Sequence, residues 1–150
     1  MKLQEAQNLF ESLKTVSTKK TEIKIYKRFL QILSKLSERN FTNDEIESIE
    51  TELDNLNLDS KPEHRKKFFR KALQKFQKYL KEAFSLTQPD YYVTMGSALG
   101  VAFGPVLGVI AGQFFNGSLS ISMGISLGLL IGTMVGIYLD SQAKAVGNII

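Results

Sequence analysis

The chain has no cysteine among its 150 residues, only one histidine, and no glycine before Gly96. Without cysteine there are no disulfides, no thiolate metal sites and no thiol nucleophile. The one histidine, His64, stands in a basic run with neither a nucleophile nor metal-ligand spacing around it, and reads as an exposed polar residue. Charge is also missing, but only locally: residues 91 to 139 contain no Lys, Arg, Asp, Glu or His. That absence removes proton relays, ion-coupled transport and voltage sensing, which need ionisable groups in the membrane. No enzyme, no cofactor and no metal are expected.

What is present divides the chain in two. Residues 1 to 40 carry a charge of +5, residues 41 to 60 carry −7, and residues 61 to 82 carry +7. Only Asp140 and Lys144 are charged after Asp90. Blocks of opposite sign suggest pairing within the chain, so the net charge of +4 is poor evidence for nucleic acid. The sequence Met1-Lys2-Leu3-Gln4-Glu5 lacks an apolar run of signal-peptide length, and the first domain is expected to stay on the side where it is made. Pro89 breaks any helix running from one half into the other.

The charge-free half is rich in Val, Leu, Ile, Phe and Met. Tyr91 to Phe115 and Leu119 to Leu139 each approach the roughly 20 residues that cross a hydrocarbon core. Asn116-Gly117-Ser118 supplies turn chemistry between them, so an antiparallel transmembrane hairpin is expected. The basic run between Lys61 and Lys81 precedes the first span, whereas Gln113 to Ser120 carries no charge, which places both termini in the cytoplasm. Tyr91, Tyr92 and Tyr138 then fall at the inner interface and Phe114 and Phe115 at the outer one.

Glycine recurs there at every fourth position: Gly96, Gly100, Gly104, Gly108 and Gly112, then Gly124, Gly128, Gly132 and Gly136. Each glycine removes a Cβ and lets a neighbouring backbone approach. Four residues turn a helix by about 400°, so the row drifts about 40° per step. That breadth suggests two neighbours, the partner helix and a second subunit, over the simpler alternative of a row that only closes a monomeric hairpin. Pro105 removes one backbone donor in mid-span and is a candidate hinge, although a kink held by packing needs no gating role. Ser97, Ser122, Ser126 and Thr133 suit bonding to their own helix backbone better than a polar path.

The first half reads as four amphipathic helices, over residues 2 to 16, 20 to 38, 43 to 57 and 61 to 86. The third starts after Thr42 or Asn43 and shows Ile46, Ile49, Leu53 and Leu56. The fourth shows Phe69, Ala72, Leu73, Phe76 and Leu80 on one face, with Asp59 or Ser60 as cap and Pro62 in the first turn. The acidic third helix and basic fourth helix are expected to pack antiparallel with their charges in register. Arg65, Lys66, Arg70, Lys71, Lys75 and Lys78 form a face for charge pairing or for anionic lipid headgroups. Nucleic acid is not expected, because Phe68 and its neighbours are needed for the core and no reading module is present. Leu3, Ala6, Phe10 and Leu13 on helix one form a candidate apolar face for a protein partner.

The fold expected is therefore all-α: a cytosolic bundle of about four helices over 1–88, a hairpin over 89–140 and a short tail over 141–150. The two glycine runs resemble glycine-zipper transmembrane hairpins, a broad class that includes bacterial two-span proteins; the resemblance covers residues 91 to 139. It implies self-association in a bilayer, with membrane lipids and a second copy as partners. The leading expectation is a homo-oligomeric protein of a bacterial inner membrane, acting as a small pore or membrane-disrupting effector regulated by its cytosolic helices. The alternative is a membrane-anchored adaptor, or a membrane-shaping scaffold, that recruits a cytosolic protein.

Overall fold

Helices account for nearly all the regular structure, in keeping with a sequence whose apolar residues recur at three and four positions. The computed structural model describes residues 1–60, 62–112 and 120–150, excluding the side chains of Ala111 and Ser120. In chain order the helices are α1 (Leu3–Val16), α2 (Lys20–Ser37), α3 (Asn43–Asn55), α4 (Arg65–Phe84), α5 (Tyr91–Gly112) and α6 (Ser120–Ala145). They form two compact units, Met1–Leu86 with Ile150, and Thr87–Ile149. The turn expected at Asn116-Gly117-Ser118, and the aromatic pair Phe114 and Phe115, lie outside the described residues.

In the first unit the local signals are specific. Thr42 caps α3: its hydroxyl accepts from the Glu45 N–H at 3.3 Å, and the Glu45 carboxylate accepts from the Thr42 N–H at 2.8 Å, a reciprocal pair that satisfies two orphan donors. Helix α4 stops where Ser85 adopts a left-handed conformation (φ 55°). Ser85 N–H donates to Lys81 O at 3.0 Å, the single bond of an αL cap, while Leu86 N–H donates to Leu80 O at 3.1 Å and the Leu86 side chain is buried.

The start of α4 differs from expectation. It begins at Arg65 rather than residue 61, its N-cap is His64 rather than Asp59 or Ser60, and Pro62 lies before the helix. The reason is visible just upstream: Asn57 turns the chain with φ 49° and Leu58 is buried in the core. Burying Leu58 requires a turn there, so helix cannot resume until the chain has returned to the surface.

The core is built around rings from three helices. Phe10 of α1 stacks on Phe29 of α2 at 4.1 Å, Tyr26 meets Phe69 of α4 edge-on at 5.2 Å, and Phe29 lies 6.3 Å from Phe76. Ile49 and Leu53 close it from α3. This overturns the expectation of a free apolar face on α1: Ala6 and Phe10 are fully buried, and Leu3 and Leu13 pack against the same core. The only large hydrophobic side chain exposed among the described residues of the bundle is Val16.

Helices α3 and α4 run antiparallel. Ser48 meets Tyr79 at 2.5 Å and Glu52 meets Lys75 at 3.4 Å, so the index falls on one helix as it rises on the other. The expected pairing of charges is met at one point, since Lys75–Glu52 is the only ion pair joining the two among the described residues. Helix α4 packs chiefly on α2, which turns most of its cations outward.

In the second unit, α5 and α6 lie side by side along their length. Helix α6 continues to Ala145, so half of the segment expected as a tail over 141–150 is helical. It ends as Gly147 takes φ 78°, and Thr87 N–H donates to Asn148 O at 2.8 Å beside an isolated parallel bridge to Ile149. Ile150 is buried in the core of the first unit, where its main-chain oxygen accepts from Arg28 Nη2 at 3.3 Å.

Candidate functional site

The geometry that stands out is the seam between α5 and α6. Both helices are long and apolar enough to cross a membrane, and each turns its glycines toward the other. A Cβ at Gly104 would lie 2.6 Å from the Gly124 carbonyl oxygen. At Gly96 and Gly100 it would collide with the carbonyl oxygens of Gly132 and Gly128. The reciprocal collisions occur at Gly124, Gly128 and Gly132, and a Cβ at Gly136 would meet the backbone of Tyr92 and Val93 at 2.5 Å. Gly108 is buried beside Gly124, and Gly112 lies half-buried at the end of α5.

Gly96 faces Gly132, Gly100 faces Gly128 and Gly104 faces Gly124, which fixes an antiparallel register. Backbone meets backbone along the row, at a range where dispersion and Cα–H···O contacts act without side chains in between. The partner helix follows the row as it drifts around α5, so that drift needs no second neighbour. Large side chains are turned the other way: Leu99, Phe103, Val106, Leu107, Leu127, Leu130, Met134 and Ile137 are all exposed. Helix α5 continues through Pro105 without interruption.

Ser97, Ser126 and Thr133 have hydrogen-bond partners. Ser97 and Thr133 bond each other across the seam at 2.9 Å, Thr133 also donates to Leu129 O at 2.7 Å, and Ser126 donates to Ser122 O at 2.9 Å.

One residue that sequence reasoning passed over closes the open end of the hairpin. The two carboxylate oxygens of Asp140, near the end of α6, accept from the N–H groups of Tyr92 and Val93 at 3.1 Å each. Those donors are orphans of the first turn of α5, which contains no acidic side chain of its own. The electrostatic argument for an anion at a helix N-terminus was available. The identity of that anion, 48 residues away, was not.

The basic residues singled out from the sequence, Arg65, Lys66, Arg70, Lys71, Lys75 and Lys78, are all exposed along α4. Lys75 pairs with Glu52 at 3.4 Å, and Lys78 with Glu82 at 3.7 Å. Arg65, Lys66, Lys67, Arg70 and Lys71 have no ion-pair partner among the described residues. His64 is exposed, and no group of residues suited to hold a metal ion occurs among the described residues.

Inside the bundle the Tyr26 hydroxyl is held away from water, and the Arg28 side chain is half-buried. The Tyr26 hydroxyl is buried with no hydrogen-bond partner, and burial, reinforced by the charge of Glu22 and opposed by Arg65, pushes its pKa up. Arg28 is lowered by burial, from a value so high that it stays charged. Comparison with known proteins finds no matching family model, no matching curated protein and no matching solved structure.

Proposed function

We propose that the chain is a two-span integral membrane protein whose hairpin, closed on itself through its glycines, anchors the helical bundle at a membrane surface. The observation that supports this is the orientation of the glycine rows. Seven glycines give their bare backbone to the other helix of the same chain, which leaves large apolar side chains to face lipid. The basic run ahead of the first span favours a cytoplasmic bundle and cytoplasmic ends, and the location proposed is a bacterial inner membrane.

The absence of cysteine makes the test direct. Single cysteines at Ser37 and Ser118 would be probed with an impermeant maleimide in intact cells, alongside alkaline carbonate extraction. The reading expects a protein that resists carbonate, with label at Ser118→Cys and none at Ser37→Cys until the membrane is opened. Extraction by carbonate, or label at Ser37→Cys in intact cells, would remove it.

A second reading, self-association into a small pore, is favoured by a different observation. Thr94, Ala98 and Ala102 on α5, and Ser122 and Ser126 on α6, are small, exposed and four residues apart. These outward rows, rather than the glycines, would carry contacts between copies. Dye release from liposomes and a mass above that of one chain would support it.

A further inference from the structure

The outer face of α4 carries a basic stripe, with Gln74 at its middle. Lys67, Arg70, Lys71, Gln74, Lys78 and Lys81 recur at three- and four-residue spacing, all exposed, opposite the buried Phe69, Leu73, Phe76 and Leu80. From Lys67 to Lys81 the stripe extends for about 21 Å of helix. The acidic block on α3 does not neutralise it, because its one pair with α4 among the described residues uses Lys75, at the stripe's edge; within the stripe Lys78 meets Glu82 at 3.7 Å, an exposed pair, while Lys67, Arg70 and Lys71 have no ion-pair partner among the described residues.

The kind of partner follows from what the stripe lacks. No aromatic or aliphatic side chain lies within it, so there is no anchor of the sort that dominates protein interfaces. Phe68, the nearest ring, packs edge-on against Phe69 at 5.2 Å and joins the core, which withdraws it from base stacking. A diffuse row of cations without an anchor suits a diffuse anionic surface. Six residues, Ser85 to Asp90, separate α4 from α5. Fully extended they reach no more than about 21 Å, so a hairpin in the bilayer holds the end of α4 within that distance of the headgroups.

We propose that the outer face of α4 docks on anionic phospholipid headgroups, by charge and without insertion. This rests on the membrane residence of the hairpin. The tether supplies a high effective concentration, but at physiological salt charges act over only about 8 Å. Docking is therefore an equilibrium set by lipid charge and ionic strength rather than a fixed contact.

The test uses the full chain with a fluorophore on Gln74→Cys, reconstituted into vesicles of phosphatidylcholine alone or mixed with phosphatidylglycerol. Each vesicle carries a nitroxide headgroup quencher. Quenching should be at least twofold greater with phosphatidylglycerol, and should fall to the neutral level when salt shortens the screening length to about 3 Å. Replacing Lys67, Arg70 and Lys71 by Gln should weaken docking about fivefold per charge. The same change at the exposed Lys20, Lys24 and Lys27 of α2 should leave it intact, which separates this face from net charge.

Equal quenching in both lipids, or equal loss in the two triple variants, would overturn the docking face while flotation with the vesicles left the anchor standing. Failure to float with neutral vesicles would overturn both. Binding to RNA at the same salt, with no response to lipid, would assign the stripe to nucleic acid and overturn the proposal.

Discussion

At the scale of single residues, the seam turns on atoms that are absent. At Gly100 a methyl group would overlap the Gly128 carbonyl oxygen, with the carbonyl carbon 2.6 Å away. Because the obstruction is backbone, no rotamer change relieves it; the helices must separate. Gly100→Ala should therefore cost about 1–3 kcal/mol, the usual range for overpacking, and widen the hairpin. Spin labels at Leu99→Cys and Leu129→Cys would register the change as a longer distance, and an unaltered distance would count against the packed seam. Tyr26 makes the opposite prediction. Its buried hydroxyl has no partner, and such a group costs about 1–3 kcal/mol. Tyr26→Phe should thus raise the urea midpoint of the bundle at neutral pH. The pH dependence has a definite sign: the folded-state pKa lies above the unfolded value of 10.0, so stability is complete below about pH 10 and declines as pH rises through the folded value. The phenylalanine variant should lose that alkaline decline, and a variant that kept all of it would show that another group is responsible.

At the scale of elements, the sequence discloses what is periodic and local and conceals what depends on distant chain. Thr42 and Glu45 form a cap within four residues, and α3 begins where that pattern says. The glycine row is equally legible as a helix surface, since spacing alone identifies it. Which neighbour the row faces is another matter: a 40° drift per step reads as room for two partners when each helix is treated as straight and alone, yet one partner helix follows it. The apolar stripe of α1 misleads for a similar reason. Leu3, Ala6, Phe10 and Leu13 mark a face that must be covered, and only the fold tells whether the cover is Phe29 and Phe69 or another protein. Asp140 is the clearest case of concealed structure, an ordinary acidic residue in sequence and a cap in space. Asp140→Ala would orphan the N–H groups of Tyr92 and Val93, at a cost of about 0.5–2 kcal/mol, typical of a lost cap. The effect should appear as faster amide exchange confined to the first turn of α5, and Asp140→Glu should restore part of it. Uniform exchange across α5 in both variants would mean that the carboxylate does not hold the end of the hairpin.

At the scale of the whole molecule, anchor and pore differ in where the contacts between copies would have to lie. The glycines cannot serve both purposes at once, because a second helix in the seam would displace α6 from positions where backbone already meets backbone. Assembly would therefore have to use the outward rows Thr94, Ala98, Ala102 and Ser122, Ser126, where no ionisable group is present to favour an ion over water. The anchor reading expects these rows to face lipid, so Ala98→Leu and Ser126→Leu should insert normally, keep the mass of a single chain in mild detergent and in lipid nanodiscs, and leave liposomes as tight as the unsubstituted protein does. Gly100→Ala belongs in the same experiment as a contrast. It should loosen the hairpin while the mass stays that of one chain, whereas in an assembly built on the outward rows Ala98→Leu would be the damaging substitution. A multimer of the unsubstituted protein that dissociates with Ala98→Leu and not with Gly100→Ala, accompanied by loss of dye release, would replace the anchor by the pore.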